Sequence, residues 1–196
     1  MSRLWRVLLV GAALAGCQSP WEKTFEPASE AAYPPSERVV IREVPWERVA
    51  SALSVIDAER AASDVHPDAW PPEKLAEEKA RLVAALQLSE DPASLEILGR
   101  SDFSTTTNVE IFDGSLSAFA RSIGADYALW SRAFMGTAQA IEREPMVRSG
   151  FTWRRHRRRD GHVDYDYLPY NETVYVPIVV ERDRFAWVVF YVRVLD

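Results

Sequence analysis

Cysteine is almost missing from this 196-residue chain: Cys17 is the single one. No intramolecular disulfide can form, so the fold has to rest on core packing. Histidine is nearly as scarce, with only His66, His156 and His162. No G-x-S-x-G segment occurs, and Ser101 beside Asp102 has no base assigned to it, so nucleophilic catalysis has little to build on. Phosphate loops and dinucleotide fingerprints are absent, and no cofactor is expected. Positive charge is also short. Asp+Glu number 29 against 23 Lys+Arg, a formal charge of -6, which disfavours nucleic acid as a partner. The longest apolar run at the N-terminus, Val7 to Gly16, is about half of the roughly 20 residues that a membrane-spanning helix needs.

What that N-terminus does contain is ordered. Arg3 and Arg6 precede the apolar run, and the run ends in small residues before Cys17. Basic flank, apolar stretch and small residues are the anatomy of an export signal. Leu14-Ala15-Gly16-Cys17 resembles the lipobox of bacterial lipoproteins. The resemblance implies a signal peptide over 1–16, acyl chains on Cys17, and a lipid-anchored location in the cell envelope. Gln18 after the cysteine is similar to the pattern that favours the outer membrane in Gram-negative lipoproteins. Two or more acyl chains anchor stably where one does not. Loss of Arg3 and Arg6 with the signal would take the charge from -6 to -8.

Behind the cysteine, residues 17–42 hold Pro20, Pro27, Pro34 and Pro35 among Glu, Ser and Ala. They read as a disordered tether that reaches at most roughly 75 Å in polyproline form. A single domain is expected over 43–196. Trp46, Val49, Leu53 and Ile56 fall on one helical face, with Pro45 at its start. Leu75, Leu82 and Leu86 mark a second helix over about 73–88. The period then changes. Residues 94–103 read as a strand and Leu116, Phe119, Ala120 and Ile123 as a short helix capped by Asp113 or Ser115. Gly124 stands where the helix C-cap wants positive φ, and a strand follows over 127–137. Such a β-α-β unit predicts two parallel neighbouring strands. Residues 173–180 and 185–194 read as a hairpin, turning at Glu181-Arg182-Asp183-Arg184. Pro177 marks its strand as an edge or a bulge. The expected architecture is α+β: a mixed four-stranded sheet, helices on one face, two helices preceding it, and a long insertion loop over 139–172.

Gly99-Arg-Ser101-Asp-Phe103, Gly124-Ala125-Asp126 and the segment from Tyr175 to Tyr191 resemble small envelope lipoproteins with no assigned reaction. The likeness covers roughly 93–138 and 172–194 and implies a fold and a location without an activity. Its motifs serve packing: Gly124 for the backbone, Ala125 for close helix–strand contact, Asp126 at a strand start.

The least ordinary stretch is Trp153-Arg154-Arg155-His156-Arg157-Arg158-Arg159, five arginines in an acidic protein. One reading is an anion-binding loop for anionic lipid, lipopolysaccharide or an acidic envelope protein, with up to about 1 kcal/mol per Arg near an anionic surface. The other is a solvated hairpin whose basic arm pairs with Asp160, Asp164, Asp166 and Glu172. His162, Asp164 and Asp166 alternate, and a strand would present them together as a weak metal triad, although the neighbouring arginines oppose a cation. Tyr165, Tyr167 and Tyr170 form either a sticky aromatic loop or cover for a sheet face. The function expected is a membrane-anchored, non-catalytic binding module. A structural lipoprotein without ligand and an envelope hydrolase are the alternatives.

Overall fold

The computed structural model describes residues 18–195. Cys17 and the proposed signal peptide lie outside the described residues. The chain divides into two compact units. One comprises the described residues up to Phe134 together with Phe185 onward, and the other is Met135–Arg184.

The first unit is organised by its last strand. Trp187, Val188, Val189, Phe190, Tyr191 and Val192 are all buried, without alternation. Successive side chains of a strand point to opposite faces, so a run buried throughout needs cover on both. Trp187, Val189 and Tyr191 enter one apolar cluster, and Val188, Phe190 and Val192 enter a second. These residues belong to β5 (Val163–Val194), the middle strand of a five-stranded mixed sheet ordered β1-β3-β5-β4-β2. β3 (Leu95–Thr105) pairs antiparallel with β5 from Leu95↔Val194 to Thr105↔Phe185. β4 (Tyr127–Arg157) lies on the other side of β5. The edges are β1 (Phe25–Pro27), antiparallel to β3, and β2 (Val40–Glu43), parallel to β4.

Among the described residues, four α-helices cover the sheet. α2 (Trp46–Ala61) and α3 (Pro72–Ala85) bring Val49, Ile56, Leu82 and Val83 to Val188, Phe190 and Val192. Ion pairs Arg60–Glu78 and Arg81–Glu59 join the two helices at their solvent side. On the opposite face, α1 (Pro20–Lys23) supplies Trp21, and α4 (Ser115–Ser122) supplies Leu116 and Ala120. Trp21 packs edge-on to Phe103 and Trp187.

Several expectations are corrected here. The sheet has five strands, not four: residues 18–43 build α1, β1 and β2 instead of a tether, and the two strands expected over 173–180 and 185–194 are one, β5. The prolines are compatible with this. Pro20 sits in the first helical turn, where its missing N–H costs nothing, and Pro27 lies on an edge strand. Helices occupy both faces of the sheet, and β1 and β2 precede the helix pair in sequence. β3 and β4 are not neighbours, since β5 lies between them. Glu181–Arg184 is not a turn. β5 runs through it unbroken, and the expected insertion loop 139–172 is mostly strand. Leu75, read as core, is exposed, while Val83 takes its place in the stripe.

The Gly124-Ala125-Asp126 motif has a definite packing role. Gly124 adopts φ +81, and a Cβ there would lie 2.7 Å from the Pro34 carbonyl oxygen. Ala125 is fully buried. The Asp126 N–H donates to the Val192 carbonyl at 2.9 Å, and its carboxylate accepts from the Val194 N–H at 2.9 Å. This short sequence therefore ties the end of α4 to the middle strand.

Two outcomes follow for stability. Trp21→Ala should destabilise the protein by about 3–5 kcal/mol in chemical denaturation, the range for emptying a buried tryptophan site; a solvated tether would give no change. Burial holds the Tyr191 phenol far above its ordinary range. A phenol whose folded pKa is raised contributes stability that is present below pH 10 and is lost as pH rises past the unfolded value. Denaturation across pH 9 to 11 should show stability falling above about pH 10, and Tyr191→Phe should lessen that fall.

Candidate interaction site at the tip of the ribbon

The second unit, Met135–Arg184, is a two-stranded ribbon formed by the distal parts of β4 and β5. Its turn is built from Asp160 and Gly161. Gly161 has φ +88, which a glycine adopts without strain. The His162 N–H donates to the Asp160 carboxylate at 2.9 Å, the Gly161 N–H to the Arg158 carbonyl at 3.0 Å, and the Arg158 N–H to the His162 carbonyl at 2.8 Å. Asp-Gly between two β-prone runs is a strong hairpin signal, and it is the feature of the sequence that could have revealed this turn.

The arginine cluster leads into the turn from the β4 side, and its five members differ in their partners. Arg158 forms an ion pair with Asp164. Arg157 donates weakly to the Gly161 carbonyl at 3.5 Å. Arg154, Arg155 and Arg159 are exposed and have no acidic partner among the described residues. His156 Nδ1 lies 3.3 Å from the Asp166 carboxylate. The basic arm is thus only partly neutralised by the acidic one.

Aromatic rings stand next to these cations. Phe151 stacks on Tyr167 with centroids 4.3 Å apart, and Trp153 leans on the same ring at 4.6 Å. Trp153 stays 65% exposed. Gly150 makes room for the neighbouring tyrosine, since a Cβ there would sit 2.8 Å from the Tyr170 ring. Tyr165 and Tyr167 are largely exposed, so they do not cover a core. The tip therefore joins free guanidinium groups to an exposed rigid aromatic surface. That combination suits a ligand with anionic oxygens beside apolar groups.

The metal triad is not assembled. His162 lies in the turn before β5 begins, Asp164 is taken by Arg158, and Asp166 faces His156. Among the described residues no group of three His, Cys, Asp or Glu side chains could hold a metal ion. Ser101 is also committed elsewhere. It is fully buried in the first unit, donates to the Trp21 carbonyl at 2.6 Å, and accepts from the Tyr191 hydroxyl at 3.1 Å. Asp102 instead meets Arg100 at 3.3 Å. The hydroxyl is thus a structural link between α1, β3 and β5.

No family model, curated protein or solved structure matches this chain. Among the described residues no helix is long and apolar enough to cross a membrane.

Calorimetric titration with Zn²⁺ should give no saturable heat, because Asp164 is already held by Arg158 and Asp166 faces His156. Stoichiometric binding that disappears in His162→Ala would show that the three side chains do converge.

Proposed function

We propose that this protein is an envelope lipoprotein, anchored by acyl chains on Cys17, that acts as a non-catalytic binding module. Its ribbon tip engages phosphate-bearing anionic components of the envelope. The observation that carries the reading is the set Arg154, Arg155 and Arg159, three guanidinium groups without acidic partners beside an exposed Trp153. Unpaired arginines cannot be explained as internal neutralisation, and exposed tryptophan suits the boundary between head groups and acyl chains.

The buried position of Trp21 sharpens the anchoring half of the proposal. Trp21 stands only four positions after Cys17. At about 3.5 Å per residue they span at most roughly 14 Å. An acylated Cys17 therefore holds the first unit close to the bilayer surface. The lipobox resemblance supports the anchor, and Gln18 supports placement at the outer membrane where there is one.

Vesicle flotation tests both halves. Wild-type protein should prefer phosphatidylglycerol-containing vesicles to neutral phosphatidylcholine vesicles, and added salt should erase the preference. The triple variant Arg154→Glu, Arg155→Glu, Arg159→Glu should weaken that preference roughly 100-fold or more, taking about 1 kcal/mol for each arginine. Equal binding by the variant would overturn the anion-binding role. Cys17→Ser should release the protein from cell membranes into the soluble fraction. Retention of that variant would contradict the anchor.

A further inference from the structure

The ribbon is incomplete as a sheet. β3 accompanies β5 only from Phe185 onward, and β2 accompanies β4 only over Tyr127–Trp130. Over Met135–Arg157 and Val163–Arg184, each strand has the other beside it on one side and no further strand on its outer side among the described residues. Two long rows of backbone N–H and C=O groups are therefore open to another strand. A two-stranded ribbon is marginal in water when nothing else covers it. This one also exposes Ile141, Val147, Tyr175 and Val179, each by more than 60%.

The charges specify which strand fits each edge. The β4 arm carries Arg143, Arg148, Arg154, Arg155 and Arg157 against Glu142 and Glu144. The β5 arm carries Asp164, Asp166, Glu172, Glu181 and Asp183 against Arg182 and Arg184. One arm is basic and the other acidic. Inside the ribbon this asymmetry is already used near the turn, in the pairs His156–Asp166 and Arg158–Asp164, while Arg182–Glu142 joins the minority charge of each arm.

We infer that ribbons of separate copies of this chain associate laterally, the outer edge of β4 in one copy pairing antiparallel with the outer edge of β5 in the next. Each such contact repeats the basic-to-acidic match found within the ribbon. Pairing of two β4 edges, or of two β5 edges, would oppose like charges and is disfavoured. A contact between two different edges is heterologous, so it propagates to a ring or a row of copies instead of stopping at a dimer. Pro145, Pro169 and Pro177 each lack an N–H and interrupt the open rows. They divide the edges into shorter donor runs, such as Met146–Arg157 on β4, and so restrict the registers that can form.

Sedimentation equilibrium of the full chain in density-matched neutral detergent tests the inference, with circular dichroism to confirm that strand content is kept. Wild-type protein should associate beyond a dimer at low salt and dissociate at least tenfold more readily in 0.5 M NaCl, roughly where surface charges are screened beyond a few ångströms. The β4 variant Arg143→Glu/Arg148→Glu and the β5 variant Glu172→Arg/Asp183→Arg should each be monomeric alone. Mixed together, they should co-assemble, because each then offers the edge charge that the other lacks. A monomeric wild type overturns the inference. So does an oligomer that ignores both variants, or one that stops at a dimer. These readouts need no vesicles and no free arginine at the tip, so they stand apart from the anion-binding test.

Discussion

The two-sided burial of β5 is the constraint on which the rest of the structure depends. Trp187, Val189 and Tyr191 face one set of helices while Val188, Phe190 and Val192 face the other. A strand buried on both faces and paired along both sides has to be central, and here it is also the last strand among the described residues. Everything earlier in the chain is arranged to enclose it. α1 and α4 cover one side, α2 and α3 the other, and β3 and β4 flank it. The same strand also forms half of the ribbon. One element thus passes from a buried apolar setting to a largely exposed one, and its composition changes at Phe185. Before that residue, Glu181 to Arg184 are charged. After it, six consecutive residues are buried.

Exposure in the second unit has chemical content because it is patterned. The arms carry opposite charge, the turn is fixed by Asp160 and Gly161, and the unpaired arginines gather at the tip. Ion pairs at a surface contribute little one at a time, typically under 1 kcal/mol. In the proposed lateral pairing their effect is selective, since opposite charge on the two arms decides which edges meet. The free guanidinium groups of Arg154, Arg155 and Arg159 remain available for a ligand, and Trp153 and Tyr167 give that ligand an apolar footing. Under the proposed account the first unit is a platform held near a membrane, and the ribbon is the part that makes contact.

Much of the first unit was legible in the residues. The stripe Val49–Leu53–Ile56 gave α2, and Leu116 with Ala120 gave α4, because a 3.6-residue period has no other easy explanation. Gly124 at positive φ followed from its place after a helix. Residues 18–43 were misread because four prolines among polar residues mimic a solvated linker. Trp21 and Phe25 were the counter-signal, since a linker gains nothing from two large aromatic side chains. The position of β5 between β3 and β4 was hidden because pairing partners far apart in sequence leave no local trace. The unbroken apolar run from Phe185 to Val192 was nonetheless a sign of a central strand. At the site, the arginine cluster was visible at once, whereas its division into paired and free members depends on the strand register. The polar run Glu181–Arg184 imitated a turn because this stretch of the ribbon is exposed on both faces and tolerates consecutive charges as readily as a turn does.

The account assigns stability to the first unit and contact-making to the second, and one excision separates them most directly. Met135–Arg184 is replaced by an Asn-Gly turn, joining β4 to β5 next to the Phe134–Phe185 ring contact. The account predicts a protein that still unfolds cooperatively near the wild-type midpoint, yet has lost both its preference for anionic vesicles and its self-association. A shortened protein that kept either property, or that failed to fold, would contradict it.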